Sequence, residues 1–455
     1  MIADQAKTTQ SPHSPFARLV AGQTIDILDS FELESGVRLE QVPVAYKTWG
    51  RLNAEGTNAL VLCHALSGSA DVEDWWGPLL GPGRTFDTSR FFVFCGNVLG
   101  SPYGTASPCT INPATGKRYG PAFPQTTIRD DVRLHRTVLD RLGVKQVAFV
   151  IGGSMGGMQV LEWALLFGPE YVRHIAAIAT SGRHSAWCIS WGEAQRQAIY
   201  SDPKYLDGNY SYDDPPNTGL AAARMAALLT YRTRNSFESR FGRKVMPQVR
   251  PQSLALSAAE IQHNEGNKFR LHGGPGKNDG GDAEQRTAEQ EKEDEARRAE
   301  FSVYSAQSYL RYQGDKFVSR FDANCYIAIT RKLDSHDISV GRGDYTTALG
   351  RIAQKAIVIG IETDGLFTVD DQYELGAGMP NARVVIVASG EGHDGFLLEL
   401  DRMRALLNDF IRECAPEAFT AAALPAAADA EAAAAAAAQA PRSSLFGEAD
   451  DFLVW

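Results

Sequence analysis

The sequence predicts an α/β protein, a mostly parallel central sheet with an inserted block of helices, on three observations. Six short apolar runs, at 58–63, 91–95, 146–151, 174–179, 356–361 and 383–388, are continuous rather than alternating, as strands covered on both faces require. Helical patterns separate them, which fits crossover connections between parallel strands. Between 181 and 345 the rhythm changes to helical segments at 186–200, 219–231 and 304–333, so an insertion interrupts the strand alternation.

The elements follow in order. Residues 1–30 are polar and proline-spiked and read as an arm; 31–182 form the first part of the core, 183–344 a helical lid, 345–418 the second part of the core and 419–455 an alanine-rich tail. Within the lid the charged insert 245–300 stands apart, and 273–300 carries nothing more hydrophobic than alanine. Such a stretch buries too little surface to offset its ordering entropy, so disorder is expected there and around the alanine run 432–438. The apolar end 452–455 is expected to dock on the protein.

With 455 residues, 44% of them hydrophobic, the chain can bury a large core. Its 45 basic and 55 acidic residues leave −10, which disfavours nucleic acid and anionic membranes as partners. No apolar run approaches the roughly 20 residues of a membrane helix, and the N-terminus lacks a secretory pattern, so a cytoplasmic placement is expected. Cys63, Cys95, Cys109, Cys188, Cys325 and Cys414 form no CxxC and read as buried free thiols, with no metal site.

Chemistry concentrates at Gly152-Gly153-Ser154-Met155-Gly156, a G-x-S-x-G between the run ending at Ile151 and a helix expected over 158–167. A strand that reverses abruptly into a helix strains the residue at its tip and tolerates only small neighbours. Ser154 would then stand at a helix N-terminus, with the Met155 N–H facing an oxyanion. A phosphate-binding turn is the competing reading, but the lysine of a P-loop and the spacing of a dinucleotide fingerprint are missing.

A serine nucleophile needs a base oriented by a carboxylate, in the order Ser, acid, His for this architecture. Asp364 follows the run 356–361 and His393 follows 383–388, so both fall past strand ends on the face where Ser154 emerges. Glu362 is the alternative acid. His64 is a rival base, but it precedes the serine and reads as structural. The loop it opens, His64 to Ser69, can offer the Leu66 N–H as second oxyanion donor.

These residues sit in longer strings: "VPVAYKTWGRLN", "CHALSG", "NPATGKRYGPAFPQTTIRDDV", "GGSMGGMQVLEWA", "YLRYQGDKFVSRFDANCY", "TDGLF" and "GHDGFLLE". Over about 31–414 the chain resembles the homoserine O-acetyltransferases of the α/β-hydrolase superfamily, in their fungal form. The resemblance implies an α/β-hydrolase fold, a homodimer through the lid, and acetyl transfer from acetyl-CoA to L-homoserine, an early step of methionine synthesis. Acetyl-CoA is a co-substrate and no cofactor is implied. By motif, Ser154, Asp364 and His393 match the triad, Leu66 and Met155 the oxyanion residues, Arg224 the holder of the homoserine carboxylate, Tyr231 its neighbour, and Asp394 the residue meeting the amine. Arg224 and Tyr231, seven apart, share one helix face. "SGSA" at 67–70 departs from the threonine-glycine-acidic string of many bacterial members, and the charged insert and alanine tail are absent from compact bacterial forms. Other acceptors (L-serine, deacetylcephalosporin C), succinyl-CoA as donor, or plain ester hydrolysis remain the alternatives, because one methylene in a substrate leaves no visible motif.

Overall fold

The continuous apolar runs become strands because both of their faces meet helices. In Ala59–Cys63, Leu60 and Leu62 join one apolar cluster while Ala59, Val61 and Cys63 join the other. Lys355–Ile361 divides in the same way, Ile357, Ile359 and Ile361 against Ala356 and Val358. A period of two therefore puts one core on each side of the sheet. The computed structural model describes residues 14–247, 263 and 302–420, so the stretches expected to be disordered, 273–300 and around 432–438, and the apolar end 452–455 lie outside the described residues.

Eight strands build the main sheet: β1 (Thr24–Glu32), β2 (Arg38–Trp49), β3 (Ala59–Cys63), β4 (Phe92–Gly96), β5 (Val147–Gly153), β6 (Val172–Ile178), β7 (Lys355–Ile361) and β8 (Ala382–Val387). Their spatial order is β1-β2-β4-β3-β5-β6-β7-β8, with β2 antiparallel to both neighbours and β4 to β8 mutually parallel. After β3 the chain steps outward to β4 and then returns to add β5 on the other side. Loops leaving β3 and β5 diverge at this reversal, and the crevice they open is where α/β sheets place ligands.

β1 starts inside the stretch read as an arm of residues 1–30. Its inward residues, Ile25 and Leu28 among them, are buried against β2, a pairing that no continuous apolar run announces. Helices α1 (Ile128–Arg141) and α2 (Met155–Tyr171) cover one face of the sheet, through Val132, Leu134, Val138, Val160, Leu161 and Trp163. α2 breaks at Gly168, φ 64°, just before Pro169, so its regular part ends at Phe167.

Between β6 and β7 the chain carries α3 (Ala186–Tyr200), α4 (Asn217–Tyr231), α5 (Arg234–Arg240), α6 (Ser305–Val318) and α7 (Ala323–Asp334). The expected helix 304–333 is thus two helices. Asp322 is extended (φ −105°, ψ 140°) and accepts from the Cys325 N–H at 2.9 Å, starting α7 afresh. Residues 234–313 form a separate compact unit. Inside it, Val245–Pro247 pairs with Ser302–Tyr304, and Phe241 packs on Phe237 and Tyr309 at 5.3 and 4.9 Å. On the far face of the main sheet, α8 (Leu400–Cys414) buries Met403, Leu407, Phe410 and Ile411.

One buried ion pair fixes the loop after β4. Lys332 of α7 and Asp131 of α1, both with side chains 0% exposed, meet at 2.6 Å. The Leu99 N–H donates to Asp131 at 2.8 Å, and Lys332 donates to the Leu99 carbonyl at 2.7 Å. Burial pushes Asp131 up to about 6 and Lys332 below its ordinary range, while their contact opposes both shifts. Removing one partner strands the other charge, so Lys332→Met should lose about 3–5 kcal/mol in denaturant unfolding, and Asp131→Asn/Lys332→Met should recover part of it.

Candidate active site

At the end of β5 the chain turns into α2 within one residue. Ser154 adopts φ 60°, ψ −125°, a conformation costing a serine about 1–3 kcal/mol. Neighbours hold it there. Its N–H donates to the Ile178 carbonyl at 2.9 Å, and its own carbonyl accepts from Thr180 Oγ1 at 2.8 Å and the Gly157 N–H at 2.9 Å. The flanking glycines let backbone meet backbone. A Cβ on Gly152 would stand 2.6 Å from the Gly156 carbonyl, and one on Gly156 only 2.1 Å from the Cys63 carbonyl. The first turn of α2 therefore lies directly on the end of β3, which brings Met155 beside the loop that carries Leu66. Met155 belongs to the same apolar cluster as Phe317 and Phe367, and Leu66 packs against that cluster.

The strands β7 and β8 supply the next two residues. Asp364 follows the end of β7 and accepts from the Leu366 and Phe367 N–H groups at 2.8 and 3.0 Å, which aims its other oxygen at His393 Nδ1, 2.7 Å away. The two loops are tied by Thr363, which donates to the Ser389 carbonyl at 2.7 Å and accepts from the Gly392 N–H at 3.0 Å. Asp364 is therefore the histidine's partner, and the alternative acid Glu362 is exposed. Burial pushes the His393 imidazole down, but the charge and hydrogen bond of Asp364, with Asp394 adding, carry it above its ordinary value. Phe396 links the serine turn to the histidine, since a Cβ on Gly153 would lie 2.6 Å from its ring, which packs edge-on against His393 at 5.5 Å. Ser154 Oγ makes no hydrogen bond to His393 among the described residues; such contacts tighten when substrate fills a site.

His64 does not compete as base. It is fully buried, accepts from the Val98 N–H at Nε2 (3.2 Å), and keeps Nδ1 on the Ala65 carbonyl at 2.8 Å. Burial pulls it down to about 3, so it is neutral and structural.

Tyr231 brings α4 to the histidine, with ring centroids 6.0 Å apart. Arg224, two turns earlier and fully buried, lies 5.5 Å from the Tyr231 ring and 4.8 Å from Phe317. Burial holds this guanidinium below its ordinary range, Tyr231 opposing and Arg320 adding to the push. Asp394 is ion-paired at 2.9 Å with Arg232, which also meets Glu391 at 3.1 Å. Arg232 was not singled out from the sequence: it simply follows Tyr231, and its partners lie about 160 residues away. Five cysteines are buried thiols and Cys414 is partly buried. No helix among the described residues is long and apolar enough to cross a membrane.

The α/β-hydrolase fold family matches residues 58–400. Homoserine O-acetyltransferase of Ascobolus immersus is 50% identical over 90% of this chain and 91% of its own, and that of Schizosaccharomyces pombe 50% identical over 97% and 95%. The crystal structure of homoserine O-acetyltransferase from Bacillus anthracis superposes with a TM-score of 0.69 at 21% identity, covering 86% of this chain and 97% of that one.

The geometry fixes a sign for His393. In an NMR titration its imidazole should protonate with a midpoint above about 6.5. Asp364→Asn removes the charge that outweighs burial, so the midpoint should fall below that value; a midpoint unmoved by the substitution contradicts the contact.

Proposed function

This chain belongs to the homoserine O-acetyltransferase family of the α/β hydrolases, and from that membership we propose that it moves the acetyl group of acetyl-CoA to the hydroxyl of L-homoserine by way of an acetyl-Ser154. The observation that carries the reading is the 2.7 Å contact between His393 Nδ1 and Asp364, at strand ends adjoining the strained Ser154 turn. With Nδ1 occupied, Nε2 is the ring's proton-transfer atom.

His393 takes the Ser154 proton as Oγ attacks the thioester carbonyl, and the Leu66 and Met155 N–H groups receive the oxyanion. The carbon–sulfur bond breaks and the imidazolium protonates the leaving thiolate. L-Homoserine then enters with its carboxylate on Arg224 beside Tyr231 and its amine on Asp394. Its hydroxyl gives a proton to His393 and attacks the acetyl carbon, and the ester bond to Ser154 breaks as the imidazolium returns that proton to Oγ, which restores the free enzyme. A planar guanidinium takes a carboxylate through two parallel hydrogen bonds, and a bound carboxylate offsets the burial penalty on Arg224. The helices α3, α4 and α7 act as a lid that keeps water from the acetyl-serine and as the homodimer contact. The reaction needs no group beyond acetyl-CoA as co-substrate, and the enzyme works in the cytoplasm.

Mass spectrometry after mixing with acetyl-CoA alone should show one added acetyl on Ser154, absent in Ser154→Ala. Arg224→Lys should still acetylate while its KM for L-homoserine rises at least tenfold, the scale of about 1.4 kcal/mol. Steady-state kinetics requiring both substrates bound before any acetyl transfer would refute the scheme.

A further inference from the structure

The turn that carries Leu66 is held from two directions, and one of them has no part in the scheme above. Ala65 and Gly68 close it, the Gly68 N–H donating to the Ala65 carbonyl at 3.0 Å, and His64 Nδ1 lies 2.8 Å from that same oxygen. The Ala65 carbonyl and the Leu66 N–H belong to one planar trans peptide and point opposite ways. Fixing the oxygen inward therefore aims the N–H outward. The other end of the turn is Ser67, whose carbonyl accepts from Arg320 Nη1 at 3.2 Å.

Arg320 lies in the short link between α6 and α7, 2% exposed. Nη1 also donates to the Tyr103 hydroxyl at 2.9 Å, and the guanidinium stands 4.8 Å from the Phe317 ring. Phe317 is the ring that Arg224 also approaches, at 4.8 Å. A planar cation braced by an aromatic ring and bonded to a carbonyl and a phenol is a rigid strut, which a flexible ammonium does not reproduce.

We propose that Arg320 is a positioning residue for acetylation of Ser154: by holding the Ser67 carbonyl it keeps the Leu66 N–H where the oxyanion forms. This rests on the reading of Leu66 as an oxyanion donor. It predicts a loss in the chemical step rather than in acceptor binding, because Arg320 contacts the turn and Arg224 carries the acceptor's carboxylate.

Rapid-quench measurement of Ser154 acetylation by acetyl-CoA tests it, with thermal melting recorded for every variant. Arg320→Gln and Arg320→Lys should acetylate at least about tenfold more slowly, a fraction of the loss from deleting an oxyanion donor outright. KM for L-homoserine should stay within about twofold in the same variants. Added guanidinium chloride, at concentrations below those that unfold the protein, should restore part of the rate in Arg320→Ala. Tyr103→Phe, which removes one brace, should slow acetylation by a smaller factor, and it decides the matter should the Arg320 variants not fold. Acetylation at the wild-type rate in Arg320→Lys and Arg320→Gln, or a loss confined to KM, overturns the proposal. So does a loss that follows melting temperature with no guanidinium rescue. Wild-type enzyme that never acetylates Ser154 would instead overturn the acetyl-serine mechanism on which the oxyanion reading of Leu66 rests.

Discussion

The mouth of this sheet depends on how closely the first turn of α2 can lie against the end of β3. A gap of 2.1 Å between a hypothetical Cβ at Gly156 and the Cys63 carbonyl leaves room for hydrogen alone. That approach sets the Met155 N–H beside the loop opened by His64, and it obliges Ser154 to turn at φ 60°. The strain is local, and it is spread over surrounding hydrogen bonds from β6 and from Thr180. A backbone so constrained is set before any ligand arrives, and in the proposed mechanism its N–H groups act by electrostatic preorganisation.

Charge is handled in the same way around the site. Asp364 uses one oxygen on two backbone N–H groups and the other on His393, so the imidazole is aimed and its cation favoured despite burial. Lys332 and Asp131 anchor the loop whose Val98 N–H fixes neutral His64. Arg232 and Asp394 meet beside the histidine, and Arg224 and Arg320 lie near Phe317. Nearly every one of these contacts joins different elements of the fold, so the site behaves as a joint between the sheet ends, α4 and α7.

Much of this was legible in the chain. Six parallel strands announce themselves because both faces are apolar, and G-x-S-x-G announces the turn because only glycine fits where backbone meets backbone. β1 and β2 escaped for different reasons: β1, the edge strand, mixes polar and apolar residues and follows a proline-spiked segment, while β2 opens on the exposed Arg38, Glu40 and Gln41 and carries Pro43 inside its buried stretch. Asp364 and Glu362 are two residues apart, and only the direction of the loop after β7 separates them. Arg232 and Arg320 carry no local pattern; each matters through a partner far along the chain, Asp394 for one and Ser67 for the other. The break between α6 and α7 appears only in the structure, where Asp322 caps α7.

The most direct measurement is a chase of the isolated acetyl-enzyme. Enzyme acetylated with radiolabelled acetyl-CoA and freed of coenzyme A would be mixed with L-homoserine in a rapid-quench instrument, and the label followed from Ser154 to product. Transfer to O-acetyl-L-homoserine at least as fast as steady-state turnover is the expected result. Label that passes only to water, or reaches L-homoserine more slowly than the enzyme turns over, contradicts the role of Ser154 as the acetyl carrier.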